Sequence, residues 1–246
     1  MNLLAKHVPD TILLASWLEK NDISRDLQKY YLRSGWLEHY GHGAFKRPNE
    51  NVQWLGAVYS LQKQSELKVH VGGITSLSLQ GLAHYVRLGK ESLYMFSQQY
   101  VKLPKWFLDQ EWGTQVKHVK TNILPSEIGL FEFKVDTINL RISSPERAIL
   151  ECLQLSPNHF DLVECYQVFE GLSNLRPKII QELLEKCESI KVKRLFLYMA
   201  AKAKHQWLPF VDQTNIELGK GDRILVKGGV YISQHRISIP KELATL

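Results

Sequence analysis

Residues 24–47 have the sequence SRDLQKYYLRSGWLEHYGHGAFKR, which contains the strongest structural signal in this chain. Ser24 is a typical N-cap, and the residues that follow it predict one basic helix that ends at Gly35. Two short strands follow, residues 36–40 and 44–48, with a glycine turn at 41–43 between them. An earlier helix is predicted from residue 10 or 11 to Lys20. A helix, a tight turn, a basic helix and a hairpin in this order predict a winged helix-turn-helix.

The second helix of this unit has an apolar face and a polar face. Leu27 and Tyr31 lie four residues apart on the face that we expect to pack on the core. The polar face and the hairpin supply the expected DNA-binding residues, which are Ser24, Arg25, Gln28, Lys29, Arg33, His42, Lys46 and Arg47. Glutamine can pair with adenine and arginine with guanine, whereas lysine mostly contacts phosphate. A solvated surface is the alternative for the helix alone, and the adjacent basic hairpin favours DNA binding.

Composition indicates a globular protein of the cytoplasm. The 246 residues are 44% apolar and 23% charged, and the net charge of +6 permits a nucleic-acid partner without requiring one. Cys152, Cys165 and Cys187 lie on apolar helical stretches without zinc-ligand spacing, which predicts buried thiols in a reducing compartment. No signal-peptide core and no apolar run near the ~20 residues of a membrane span occur. We therefore expect no metal, no cofactor and no membrane partner.

The rest of the chain predicts an α+β protein of two domains. The first domain is residues 1–97, with the winged-helix core at 1–50 and a β/α extension at 51–97. The second, residues 98–246, is a mixed α+β domain. Alternating residues in the middle of the chain predict a small, largely antiparallel sheet. The expected strands are 69–71, 93–96, 116–120, 129–135, 138–142, 224–226, 230–232 and 237–239, and the expected later helices are 51–65, 75–85, 145–155, 160–169, 176–188 and 192–204.

Two further features of the second domain could carry a function. Glu132 and Lys134 flank Phe133 in an ExK pattern, which metal-dependent nucleases use to hold a metal and polarise a phosphate. Because strand alternation also places both side chains in solvent, the non-catalytic interpretation is preferred. The other feature is a possible second basic surface made by Lys191, Lys193, Arg194, Lys202 and Lys204. It would contact flanking DNA, RNA or an acidic partner, and a solvated helix face is its alternative.

Several separate segments give the chain a family resemblance. Residues 34–37 (SGWL), 43–48 (GAFKRP), 69–85 (from VHVGG to LQGLAHY) and 142–151 (ISSPERAILE) resemble the AbiEi family. These proteins are antitoxins and transcriptional regulators of bacterial abortive-infection, or type IV, toxin–antitoxin systems. The resemblance spans nearly the whole chain and is loosest after about residue 205.

The resemblance implies a non-enzymatic regulator with two partners. One is double-stranded DNA, at inverted repeats in the promoter of its own operon, which the winged helix would repress. The other is a nucleotidyltransferase-like toxin of the AbiEii type, which the C-terminal domain would neutralise. Since long heptads are absent, we expect a monomer that pairs on DNA. The alternative is a winged-helix regulator with a ligand- or protein-binding second domain and no toxin.

Overall fold

The computed structural model describes residues 7–83 and 92–246 and has the α+β composition expected from the sequence. Its helices are α1 (Ala15–Lys20), α2 (Arg25–Arg33), α3 (Trp54–Lys63), α4 (Gly73–Leu79), α5 (Lys105–Leu108), α6 (Pro145–Leu155), α7 (Leu162–Glu170), α8 (Pro177–Lys186), α9 (Ile190–Lys202) and α10 (Lys241–Thr245). Its strands are β1 (Leu13–Leu14), β2 (Glu38–Gly41), β3 (Ala44–Lys46), β4 (Val69–Val71), β5 (Ser92–Ser97), β6 (Gln115–Lys120), β7 (Leu130–Val135), β8 (Ile138–Ser143), β9 (Arg223–Ile224), β10 (Val230–Ile232) and β11 (Ile237–Ile239).

Residue contacts divide the described part of the chain into two compact units. Of the described residues, the first unit contains 7–70, 92–120 and 132–141, and the second contains 71–83, 121–131 and 142–246. Each unit is made of three separate segments of the chain. The domains predicted from the sequence, residues 1–97 and 98–246, are instead two continuous segments. That division stays a prediction.

The five-stranded sheet has the strand order β6-β5-β4-β8-β7. Strands β5 and β6 are parallel over six residue pairs, from Ser92 opposite Gln115 to Ser97 opposite Lys120. Strands β4 and β8 are also parallel, with Val71 opposite Ile142. The expectation of a largely antiparallel sheet is therefore wrong. Alternation fixes which side chains share a face, but it does not fix the direction of a partner strand that lies far away in sequence.

The first predicted helix begins later than expected because Leu13 and Leu14 form a strand. This short strand, β1, pairs antiparallel with β3, which lies between β1 and β2. Side chains of α3 satisfy the backbone at and next to β1: Ser60 Oγ donates to the Ile12 carbonyl at 2.8 Å, and Gln64 Oε1 accepts from Leu14 N–H at 2.9 Å. Helix α1 starts only at Ala15. Long-range pairing thus overrides the local helical pattern.

The helical pair and the hairpin of the first unit share one small core. Its buried residues are Leu13, Leu18, Ile23, Leu37 and Phe45, and Ala15, Trp17, Leu27, Tyr31 and Leu32 pack against them. The apolar face predicted for α2 is therefore confirmed. This core fixes α2 against β1 and the hairpin, so that the remaining face of α2 is directed to solvent.

The second unit is organised around buried helices. Helices α6 to α9 match the predicted helical segments to within a few residues, and all three cysteines are buried as predicted. A three-stranded sheet of order β10-β11-β9 and helix α10 end the chain. None of the helices among the described residues is both long enough and apolar enough to span a bilayer.

Candidate nucleic-acid interface

Helix α2 forms where the sequence predicts it because both of its ends are stabilised locally. Ser24 Oγ accepts a hydrogen bond from Leu27 N–H at 3.3 Å, which satisfies one of the unbonded amides of the first turn. At the other end, Gly35 has a φ of +74°, a left-handed conformation that favours glycine after a helix. The elements from α1 to β3 are two helices followed by a two-stranded hairpin, in the order expected from the sequence.

The exposed face of α2 carries three cations one turn apart. Arg25, Lys29 and Arg33 are all exposed. Arg25 Nε donates to Glu19, and Lys29 Nζ lies 3.2 Å from Asp26 Oδ1. Exposed ion pairs of this kind contribute at most about 1 kcal/mol, so a phosphate or a base can replace these carboxylates at little cost. These three cations, Arg25, Lys29 and Arg33, form a basic row that is therefore available to bind a polyanion.

Gln28 does not belong to this exposed face, which corrects the prediction from sequence. Its side chain is 4% exposed, and its Nε2 donates to the Ile23 carbonyl at 3.0 Å and the Ala15 carbonyl at 3.2 Å. Both carbonyls lie where α1 and the turn meet α2. The amide therefore joins the two helices and is not directed towards a DNA base.

The hairpin places its two predicted cations away from its turn. Lys46 is opposite Glu38 in the strand register, and its Nζ lies 3.3 Å from Glu38 Oε2 and 3.2 Å from the Glu50 carbonyl. Arg47 follows Lys46 and is half-buried. His42 is the exposed titratable residue within the turn itself. The cationic end of the hairpin is thus its open end, and the turn has no lysine or arginine of its own.

Sequence reasoning missed three exposed side chains near the basic row. Tyr30 is 62% exposed on α2, and Trp36 is 55% exposed just after the helix. Asp26 is exposed in the first turn and can accept a hydrogen bond from a cytosine amino group. Asp26 and Tyr30 are four residues apart and therefore lie on the same side of α2, next to the cations. This helical spacing is visible in the sequence and could have identified both residues.

The second basic surface predicted on α9 is wrong for most of its members. Lys193 and Arg194 are 4% and 2% exposed, and the Arg194 guanidinium donates to the carbonyls of Leu218, Gly219, Gly221 and Arg236 at 2.7–3.0 Å. Lys191 Nζ donates to the carbonyls of Gln154 and Ser156, and burial lowers the pKa of this lysine.

The two remaining members of that set do not form a surface together. Lys202 Nζ lies 5.5 Å from the centre of the Tyr166 ring and is half-buried, and Lys204 is exposed. Helix α9 packs against α6, α7 and β11, so its charged residues donate to nearby carbonyls or contact an aromatic ring.

The glutamate of the ExK pattern on β7 forms a surface ion pair with a lysine of α3. Glu132 Oε1 lies 2.8 Å from Lys63 Nζ, and both side chains are substantially exposed, as is Lys134. Among residues 7–83 and 92–246, no cluster of three or more His, Cys, Asp or Glu residues could hold a metal ion. The convergent carboxylates that phosphodiester cleavage by a metal requires are thus not found around Glu132 in this part of the chain.

Two family models match nearly the whole chain. Residues 1–88 match the family model described as the transcriptional regulator, AbiEi antitoxin N-terminal domain, and residues 90–240 match the model described as transcriptional regulator, AbiEi antitoxin, type IV TA system. The crystal structure of the RV2827C protein from Mycobacterium tuberculosis is similar at a TM-score of 0.61 and 12% identity, and the match covers 92% of this chain and 85% of that one. No curated protein matches. At this identity the structural similarity shows the fold alone.

Proposed function

The chain belongs to the AbiEi family of antitoxins and transcriptional regulators of type IV toxin–antitoxin systems, and we propose that it represses its own operon and neutralises the toxin encoded there. The DNA target is a pair of inverted repeats in the promoter. The toxin is a nucleotidyltransferase-like protein of the AbiEii type. Both activities would take place in the cytoplasm.

The exposed basic row on α2 is the observation that carries the DNA-binding part of the proposal. Arg25, Lys29 and Arg33 project from a helix whose opposite face is fixed to the core, as a recognition helix requires. Arginine can bind guanine in the major groove with two hydrogen bonds, and lysine neutralises phosphate. We propose that Arg25 and Arg33 contact base edges, and that Lys29 contacts the backbone.

The remaining predicted residues have supporting roles in this proposal. Ser24 caps α2 by accepting a hydrogen bond from Leu27 N–H. The other amides of the first turn would face a phosphate at the edge of the DNA major groove, as helix N-termini commonly do. Lys46 and Arg47 would meet backbone phosphates from the open end of the hairpin, and His42 would do so from its turn. Because the repeats are inverted, two copies would bind symmetrically, and we propose that the protein is a monomer until it pairs on DNA.

The first experiment titrates labelled DNA from upstream of the gene with the full-length protein. A duplex of the same composition in scrambled order is the control. We expect tight binding to the promoter fragment and binding weaker by a factor of about 10³ or more to the scrambled duplex at physiological salt. Equal affinity for the two duplexes would contradict operator recognition.

The second experiment tests neutralisation in cells. The nucleotidyltransferase-like gene of the same operon is induced with and without this chain, and growth is recorded. We expect rescue by the wild-type chain and by the Arg33→Ala variant alike, because α2 is assigned to DNA. Failure of the wild-type chain to rescue growth would contradict the antitoxin function and would favour a regulator without a toxin.

A further inference from the structure

Part of the first unit from outside the helix-turn-helix is packed against the hairpin. A Cβ placed on Gly41 would lie 2.9 Å from the Cβ of Trp106, so the end of β2 and the helix α5 are in direct backbone contact. Gln110 Nε2 donates to the Tyr40 carbonyl at 3.0 Å, and the Tyr40 ring lies 6.2 Å from the Trp112 ring. Residues 106–112 therefore brace the hairpin next to its turn.

This bracing segment places a lysine near the turn of the hairpin, residues 41–43, which contains no lysine or arginine. Lys105 directly precedes Trp106 and is exposed, whereas Trp106 itself is buried. The Cα of Trp106 lies 3.2 Å from the Cβ position on Gly41. Because consecutive Cα atoms are about 3.8 Å apart, the Cα of Lys105 lies within about 9 Å of the Cα of Gly41. The flexible four-carbon stem of a lysine can cover much of that distance.

Lys105 has no competing ion pair with any of residues 7–83 and 92–246. Among the described residues, no carboxylate lies within salt-bridge distance of its Nζ, in contrast to Lys46, which is shared between Glu38 and the Glu50 carbonyl. An exposed ammonium without a carboxylate partner gains the most from a phosphate, since no existing pair has to be broken. The backbone to which Lys105 belongs is held in place by the buried rings of Trp106 and Phe107.

We propose that Lys105 is a DNA-backbone contact, which extends the interface beyond the helix-turn-helix to the phosphates next to the hairpin turn. The ligand is double-stranded DNA, and the contact is independent of base sequence because an ammonium recognises phosphate as a point charge. The inference rests on the proposed function, because it requires that the protein binds DNA through α2 and the hairpin. It also means that Lys105 belongs to the DNA-binding surface although it lies outside the N-terminal family match.

The test is the salt dependence of binding by full-length Lys105→Gln. Each lost phosphate contact lowers the magnitude of the slope of log affinity against log salt concentration by about 0.9. We expect Lys105→Gln to show this decrease and to weaken operator and scrambled DNA by the same factor. Lys105→Arg, which keeps the charge, should keep the wild-type slope.

A matched control separates a local contact from a change in net charge. Lys241, at the start of α10, is also exposed, and Lys241→Gln removes the same charge from another element. The inference is overturned if Lys105→Gln keeps the wild-type slope, or if Lys241→Gln lowers the slope equally. If wild-type protein binds neither promoter nor scrambled DNA, the proposed function fails and this inference fails with it. If wild-type protein binds and only Arg33→Ala changes the slope, the inference alone fails.

Discussion

Replacement of Gln28 by alanine separates a structural role from a role in base recognition. The buried amide donates two hydrogen bonds, to the carbonyls of Ala15 and Ile23. A neutral hydrogen bond contributes about 1 kcal/mol net, and a buried carbonyl left without its donor costs somewhat more. We therefore expect Gln28→Ala to lower the free energy of unfolding by about 2–3 kcal/mol, whereas the affinity of the folded protein for operator DNA changes by less than about threefold.

Urea denaturation and operator titration measure the two quantities independently. The unfolding midpoint should fall at constant m value, which reports a loss of stability without a change in the surface exposed. The operator titration is performed without urea, so that the variant is folded throughout. Arg33→Ala is the control, with unchanged stability and weaker binding. Unchanged stability of Gln28→Ala together with a tenfold loss of operator affinity would refute the assignment of Gln28 to the helix–helix contact.

Three further predictions concern the two units. Gly56→Ala should destabilise the protein by about 3 kcal/mol in urea unfolding, because its new Cβ would lie 1.9 Å from the Asp10 carbonyl oxygen. Arg194→Met should cost about 3 kcal/mol by the same measurement, since it removes the charged donor of four hydrogen bonds to partly buried sites on the loop carbonyls. Arg176→Ala should cost about 1 kcal/mol at pH 7. Burial raises the pKa of Glu146, but the hydrogen bonds from Arg176 outweigh this and hold the pKa below its usual value. That stabilisation is fully present above the unfolded-state pKa of about 4.3 and is lost as pH falls through the lower folded-state pKa of Glu146, so the difference in stability between variant and wild type should shrink over this acidic range.

Local signals were sufficient to predict helix α2 and the hairpin that follows it. The cap at Ser24 and the left-handed glycines at 35 and 43 act through their immediate neighbours, and the structure has all of them in place. The local sequence pattern predicts a helix at Leu13 and Leu14. They form a strand because they pair with β3, which lies about thirty residues later in the chain. Local pattern cannot show that pairing.

The errors in the candidate site have the same cause. Gln28 lies three residues before Tyr31 and four before Leu32, both of which pack on the core, so its helical position already indicated partial burial. What the sequence could not show is that the carbonyls of Ala15 and Ile23 lie within hydrogen-bond distance of its amide. Lys193 and Arg194 form an apparent charged face in the sequence, but both are buried, and the loop at 218–221 that accepts hydrogen bonds from Arg194 lies far along the chain.

Salt-dependent titration of promoter DNA with the triple variant Arg25→Ala, Lys29→Ala and Arg33→Ala tests the central claim most directly. If the exposed row of α2 binds the promoter, affinity should fall by at least about 100-fold, and the salt slope should become shallower by about one unit for each lost phosphate contact. Circular dichroism should show an intact fold, and the variant should still rescue cells from the toxin. A folded triple variant with wild-type affinity and slope would contradict the account.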